Sequence, residues 1–553
     1  MTVLSTRNLA DHICLRASED PDRTAVIAYA RTSGRAQRNA KRLTITNAEL
    51  ERLTARTANG LRAHGVREGD RVLVFVRPGI DLVSLLYALY ALGAVPVLID
   101  PGLGKANMLS CVERTKPRVF IGIPLAHALR HVHKKSFASV ELAINAGKSL
   151  PFCGTQLAKV RARSESDALN PISLPYDAEA AVLFTSGSTG PPKGVIYTHA
   201  MFDAQVAALK RLYKFEPGEV DVACLPAFGL FGPALGLTSI FPDMNATRPS
   251  HCDPERIVNA LIENKASNTF GSPAIWRRIV PYCQERGLKL PTVKRVLIAG
   301  APVPPYLIEG LLELLSADAD VFTPYGATEC LPIASVSGRE ILRDCRAATD
   351  AGAGTCVGFP VPEAKVEIIA ITDEPIEHWS DATVLAQGEI GEVCTRGEMI
   401  THLYDGEAAA TQAAKIYDGE TVVHRMGDLG FFDHEGRLWF VGRKSHRLET
   451  VSGMLPPVPV ECVFNVHPRV HRTALVGVGP RGQERPVLIV QLESDSDHGD
   501  DTLIDELRKL GAKNERAALA QTFLFHDDFP VDVRHNAKIR RDVLKSWAEE
   551  QLA

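Results

Sequence analysis

Two periodicities alternate along roughly the first 440 residues of the chain. Leu50, Leu53 and Leu61 recur on one face of a helical repeat, with polar residues between them. Thr46 and Glu49 stand at capping-box spacing ahead of that repeat, and Gly65 supplies a stop behind it, so an amphipathic helix is expected between them. RVLVFV (71–76) then reads as a strand and 82–93 as the next helix. AAVLF (180–184), RVLIA (295–299), VEII (366–369) and GEVCT (391–395) are short apolar runs of strand length. Helix and strand signals alternating over such a length predict an α/β fold with largely parallel sheets. The apolar stretch LVSLLYALYALGAVPVLI (82–99) is long enough to be weighed as a membrane span. Gly93 and Pro96 interrupt it and Asp81 and Asp100 flank it, which favours a buried helix followed by a buried strand.

The texture changes near GRLWFVGRKSHRLETVSG (436–453). Beyond it come the apolar strands ALVGVG and PVLIVQL, an acidic loop ESDSDHGDD (493–501), a helix, the strand TFLF (522–525) and a C-terminal helix. That is enough chain for a small α+β domain. The expected organisation is a large multi-sheet α/β domain over 1–442, a hinge at 443–446 and a small mobile domain over 447–553. No internal repeat is visible.

Composition narrows the function classes. At 553 residues the chain exceeds one ordinary core, and 45% apolar with 23% charged residues is globular. A net charge of −4 without a concentrated basic stretch argues against nucleic acid as a partner. Eleven dispersed cysteines without a C-x-x-C pair read as reduced thiols. The segment MTVLSTRNLADHI has no signal-peptide core, so a cytoplasmic protein is expected.

Candidate chemistry begins at TSGSTGPPKG (185–194). Thr185, Ser186, Gly187, Ser188, Thr189, Gly190 and Lys193 combine small residues, hydroxyl donors and a cation, the means by which a loop binds phosphate. Lys193 lies between Pro192 and Gly194, so this is not a Walker loop, which needs Gly before Lys and Ser or Thr after it. Taken alone the segment reads equally well as a surface turn. His127 and His131, in HALRH, stand at metal-ligand spacing but lack the glutamate of H-E-x-x-H, and a surface helix is the better reading. No G-x-S-x-G elbow occurs.

Five later segments change the weight of the loop: AGAP (299–302), YGATE (325–329), RMGDLG (425–430), GRKSHR (442–447) and HNAKIRRDVL (535–544). Together with the loop, in this order, they resemble the motifs of the AMP-forming acyl-adenylating enzymes, a superfamily of acyl-CoA synthetases, luciferases and adenylation domains. The resemblance implies that the loop holds the β- and γ-phosphates of ATP, that Thr328 contacts the α-phosphate and that Glu329 binds Mg²⁺. Gly300, Ala301, Pro302, Tyr325 and Gly326 would line the adenine side, and Asp428 would take the ribose hydroxyls. Arg443 would assist near ribose or phosphate, and Lys538 would be carried by the small domain onto the reacting carboxylate and α-phosphate. Thr328, Glu329, Arg443 and Lys538 are thus the expected catalytic set.

Departures from the superfamily bear on the second half-reaction. Gly229 stands where a histidine or other bulky gate is usual, Ser445 occupies the hinge position, Asn536-Ala537 replace Thr/Ser-Gly, and Met426 precedes Gly427. FTSGSTGPPKGV, LPAFGLFGPALG, YGATE and VDVRHNAKIRR together resemble one subgroup, the β-lactone synthetases of bacterial long-chain olefin biosynthesis. That resemblance implies a 2-alkyl-3-hydroxy fatty acid as substrate. It also implies a lactone decarboxylase and an NADPH-dependent reductase as partners in a multienzyme assembly. Phe228, Gly229, Leu230, Phe231, Ile275 and Trp276 are the candidate acyl-pocket residues, with plain core packing an equal alternative. A long-chain acyl-CoA or acyl-AMP ligase and a non-catalytic nucleotide-binding scaffold are the competing functions.

Overall fold

The structure, a computed structural model, describes residues 8–29, 41–148, 150–185, 191–493, 501–531 and 538–553. The expected first helix forms over Asn47–Ala63, and its capping box closes both ways: Glu49 N–H donates to Thr46 Oγ1 at 3.2 Å and Thr46 N–H to Glu49 Oε2 at 2.8 Å. Leu50 and Leu61 are buried and Leu53 half-buried. Gly60 permits the close approach of a second chain segment, because a Cβ there would stand 2.2 Å from the Val160 carbonyl oxygen. The apolar run 82–99 folds as the helix Ile80–Ala91 followed by the strand Val95–Ile99. Twelve helical residues reach about 18 Å, short of a ~30 Å hydrocarbon layer. No described helix is long and apolar enough to cross a membrane.

Two sheets dominate. One has seven strands in the spatial order Thr155–Gln156, Leu142–Asn145, Val119–Gly122, Arg71–Phe75, Val95–Ile99, Glu179–Thr185, Lys193–Thr198. All its pairings are parallel except the last, where Thr185 faces Lys193 across an antiparallel hairpin. The other has fourteen strands and changes character half-way. Thr24–Tyr29, Thr238–Phe241, Val220–Ala223, Asn268–Gly271, Arg295–Ile298 and Asp320–Ala327 run parallel, with helices between them. From Cys330–Ser337 onward every pairing is antiparallel. The α/β class holds, but the expectation of largely parallel sheets applies only up to Ala327. Past that point hairpin connections replace helical crossovers, and only crossovers allow parallel pairing.

The elements after Arg447 pair only with one another. They form a hairpin, Leu448–Thr450 with Gly453–Leu455, and a three-stranded sheet of Val470–Val478, Arg485–Leu492 and Thr522–Phe525. Two core clusters lie wholly inside this region, one around Phe464 and Leu488 and one around Val487 and Leu544. Polar contacts carry the junction. Lys444 Nζ reaches Glu392 Oε2 and the Thr372 carbonyl, both at 3.0 Å, and Arg447 reaches Asp373 at 2.7 Å.

One buried group in the parallel sheet has a pH signature. Asp221 is 1% exposed, its Oδ1 has no partner among the described residues, and burial pushes its carboxyl up to about 7 from 3.8. Because the folded value lies above the unfolded one, the unfolded chain loses its proton first. Stability therefore falls as pH rises from 3.8 to about 7 and is level beyond, a loss of about 4 kcal/mol. Urea midpoints at pH 5 and pH 8 are expected to differ less in Asp221→Asn than in the parent; equal differences would place the titration elsewhere.

Candidate active site

The phosphate-loop candidate occupies the tip of the hairpin between Glu179–Thr185 and Lys193–Thr198. Ser186, Gly187, Ser188, Thr189 and Gly190 lie outside the described residues, as does the side chain of Thr185. What anchors the hairpin is described. Asp405 N–H donates to the Gly194 carbonyl at 2.7 Å, Ile196 N–H to the Leu403 carbonyl at 3.3 Å, and Val195 bridges Tyr404. The segment 401–405 in turn holds the turn bearing Thr328 and Glu329, since Thr401 N–H donates to the Glu329 carbonyl at 3.0 Å. Tyr197, on the hairpin, donates its hydroxyl to the Thr328 carbonyl.

Tyr404 sits at the centre of this arrangement and was not singled out in the sequence. Its hydroxyl donates to Glu329 Oε1 at 2.6 Å, and the ammonium of Lys193 lies 4.9 Å from the centre of its ring. A single side chain thus orients both the candidate phosphate lysine and the candidate metal carboxylate. Lys415 is a second unforeseen residue. It is 1% exposed, bonds to the Thr401 carbonyl and places its ammonium 5.7 Å from the same ring. Only a pairing of distant strands brings either group here, so no local motif announces them.

Charge in this corner is asymmetric. Burial alone would raise the pKa of Glu329, but His424, the Tyr404 hydroxyl and Lys415 together hold it below its ordinary value. Burial pushes His424 itself down to about 3, so near neutrality the supporting cation is Lys415, which burial lowers only to about 8. Glu329 is therefore an ionised oxygen donor, the ligand type that Mg²⁺ takes together with phosphate oxygens and water. The described residues offer no cluster of three or more His, Cys, Asp or Glu for an all-protein cage. The donor set fits an ion shared with a polyphosphate.

The candidate nucleoside side is built from two antiparallel strands. Asp428 and Arg443 face each other in register, and Arg443 Nη1 stands 2.9 Å from Asp428 Oδ1. Tyr325 donates its hydroxyl to the other oxygen, Oδ2, at 2.6 Å. Oδ1 has no aligned hydrogen-bond donor among the described residues, which leaves one buried acceptor oxygen for a ligand hydroxyl. Burial raises the Asp428 pKa, opposed by Arg443, the Tyr325 hydroxyl and Lys538. Lys538, from the C-terminal unit, thus contributes to the field at this carboxylate.

Gly326 closes the turn beside them, for a Cβ there would stand 2.3 Å from the Cys330 carbonyl oxygen. Gly300 takes φ +95°, and it begins the Gly300-Ala301-Pro302 loop after the strand Arg295–Ile298. Ser445 is exposed in the short turn Lys444–His446 at the junction.

The acyl-pocket candidates divide. Phe228 packs in a core with Phe270, ring centres 4.7 Å apart. Leu230 and Phe231 lie half-buried against the first core, while Ile275 and Trp276 are fully buried. Gly229 does not leave open room, as the sequence suggested. The space its Cβ would need is taken by the Phe241 ring, 2.8 Å away, supplied by a neighbouring strand. Among the described residues His127 and His131 bind no common partner: His127 is buried against the Ile144 carbonyl, and His131 contacts the Phe152 carbonyl.

Comparison with known proteins decides the family. Residues 15–405 match the AMP-binding enzyme family. The chain belongs to the AMP-binding enzymes. As a member, it is 44% identical to an olefin beta-lactone synthetase of Xanthomonas campestris pv. campestris, over 98% of both chains. It is 46% identical to the olefin beta-lactone synthetase of Stenotrophomonas maltophilia, over 99% of this chain and 98% of that one. Among solved structures, the O-succinylbenzoate coenzyme A synthetase of Bacillus subtilis with ATP and magnesium superposes with a TM-score of 0.74. At 21% identity over 97% of this chain and 99% of the other, that likeness establishes the shared fold. The matched AMP-binding region stops at 405, short of Asp428, Arg443 and Lys538, and these fall within the stretch shared with the two synthetases.

Proposed function

We propose that this enzyme activates a 2-alkyl-3-hydroxy long-chain fatty acid with ATP and closes it to a β-lactone. The observation that carries the proposal is likeness to olefin beta-lactone synthetases along nearly the whole chain, joined to the Tyr325–Asp428–Arg443 cluster. Asp428 holds the ribose, with Tyr325 and Arg443 fixing its carboxylate. Lys193 and the loop hold the β- and γ-phosphates. Glu329, oriented by Tyr404, would hold Mg²⁺, which would shield charge on the phosphoryl oxygens.

A substrate carboxylate oxygen attacks the α-phosphorus, the bond to the β-phosphate oxygen breaks, and pyrophosphate leaves. Negative charge grows on the α-phosphoryl oxygens, and Lys538 supplies a compact cation there. In the second step the substrate's own 3-hydroxyl oxygen attacks the activated carbonyl, its proton is released, and AMP departs. Tethering the nucleophile two carbons from the carbonyl gives it a high effective molarity, which offsets the strain of a four-membered ring. The unit after Arg447 is the moving part that brings Lys538 to the site and withdraws it. A reductase using NADPH supplies the hydroxy acid and a decarboxylase consumes the lactone, all in a cytoplasmic assembly.

The test is a racemic 2-alkyl-3-hydroxy acid with Mg-ATP and no coenzyme A, following AMP and the strained-ring carbonyl band in the infrared. AMP and lactone together are expected. AMP without lactone, but a thioester on adding coenzyme A, would make the enzyme an acyl-CoA ligase. No AMP in either case would leave a nucleotide-binding scaffold.

A further inference from the structure

The helix Pro124–Val132 is apolar on both sides. On its inner side Ala126 and Leu129 pack against the core around Phe120, and His127 is buried. Its outer side carries Leu125, 77% exposed, and Val132, 75% exposed, seven residues apart and so on one face, with the half-buried Ala128 between them. A surface helix ordinarily turns polar and charged residues that way. The apolar face continues beyond the helix. Gly147 packs against Pro124 at one end, where an added Cβ would stand 2.6 Å from Pro124 Cδ. Phe152 packs against His131 at the other, with ring centres 5.6 Å apart, and both Phe152 and Leu150 are exposed.

Charge around this face has one sign. Between Pro124 and Phe152 the chain carries Arg130, Lys134, Lys135 and Lys148 against a single acid, Glu141, although acids outnumber bases over the whole chain. Glu141 is met by Arg118 at 3.2 Å, and Glu113, on the helix Lys105–Thr115, accepts from the Ser136 hydroxyl at 2.7 Å. Lys134, Lys135 and Lys148 are exposed and form no ion pair among the described residues. The face lies toward the Thr155–Gln156 edge of the seven-stranded sheet, and the Lys193 hairpin forms the opposite edge. A partner seated here therefore leaves the candidate active site open.

We propose that this face docks on an anionic lipid bilayer. Leu125, Val132 and Phe152 enter the boundary between headgroups and acyl chains, and Lys134, Lys135 and Lys148 meet the lipid phosphates. A bilayer offers both halves of the match at once, an apolar interior and a uniformly negative surface. Residue type favours it over a protein partner. The cores of protein interfaces gather Tyr, Trp and Arg and shed Lys, whereas here aliphatic tips stand with lysines. Burying the aliphatic tips supplies an apolar contribution that salt leaves in place, and the lysines supply an attraction that salt screens. Docking of this kind is independent of the acyl substrate proposed above.

The experiment is flotation of the full chain with vesicles of phosphatidylcholine alone or mixed with phosphatidylglycerol. The parent is expected to partition onto the mixed vesicles roughly tenfold or more better than onto the neutral ones, and added salt is expected to reduce the difference. Lys134→Glu combined with Lys135→Glu is expected to weaken partition onto the mixed vesicles by roughly tenfold or more. Leu125→Ser combined with Val132→Ser is expected to weaken it at both low and high salt, because the apolar contribution is lost. All four side chains are exposed or lie outside the core, so melting temperatures close to the parent's are expected. Should the serine pair melt early, the lysine pair decides alone. A parent that floats with neither vesicle, or equally with both, overturns the proposal, as do variants that float like the parent. Self-association of the parent in sedimentation, abolished by the serine pair and without vesicle binding, would make the face a contact between copies of this chain and overturn it too.

Discussion

Replacing Lys538 by alanine is expected to slow acyl-adenylate formation by roughly 10²–10³-fold with ATP affinity almost unchanged. Lys538 belongs to the unit after Arg447, whose strands and cores are its own, yet its charge reaches the buried carboxylate of Asp428. In the proposed site, nucleotide affinity rests on groups before the junction: Asp428 with its Tyr325 and Arg443 partners, and the hairpin that carries Lys193. A cation from the second unit therefore matters most when charge builds on the α-phosphoryl oxygens. Isotope exchange between pyrophosphate and ATP measures the first half-reaction, and equilibrium binding of ATP measures affinity. Lys538→Arg keeps the charge but exchanges a compact ammonium for a planar fork, so partial recovery is expected. Loss of ATP binding in Lys538→Ala would instead give the residue a structural role.

Replacing Glu329 by glutamine is expected to lower adenylation on the order of 10²–10³-fold and to raise the Mg²⁺ concentration needed for half-maximal rate. Glutamine keeps the shape and can still accept from Tyr404, so what is lost is the charge. Tyr404→Phe separates orientation from charge. It deletes the 2.6 Å hydrogen bond and preserves the ring beneath Lys193, and a loss of about 10–100-fold is expected. Titrating activity against Mg²⁺ in both variants checks the assignment. A Glu329→Gln enzyme with unchanged Mg²⁺ dependence would remove the carboxylate from the metal site.

Much of this site was legible because its parts are local. The phosphate hairpin, the YGATE turn and the Gly-Asp strand each lie within a few consecutive residues, and short-range backbone chemistry dictates each one. The capping box at Thr46 and Glu49 and the buried helix–strand reading of 82–99 followed for the same reason. Tyr404 and Lys415 were illegible because their meaning depends on strands far apart in the chain. A tyrosine before an aspartate, or a lysine in an alanine-rich helix end, carries no signal until Val195 bridges Tyr404 and Lys415 pairs with His424. Gly229 misled for a related reason. A glycine reads as missing bulk, but the bulk arrived from Phe241 on another strand.

By itself, then, the sequence determined the α/β class and the chemistry of acid activation, and it named the residues proposed to meet the nucleotide. These depend on residue types at short spacing, and short spacing constrains geometry. The tertiary structure alone decided how the fourteen-stranded sheet turns antiparallel and which side chains orient Glu329 and Lys193. Each of those is a meeting of distant segments, and hydrophobic patterning says that a residue is buried without saying what it is buried against.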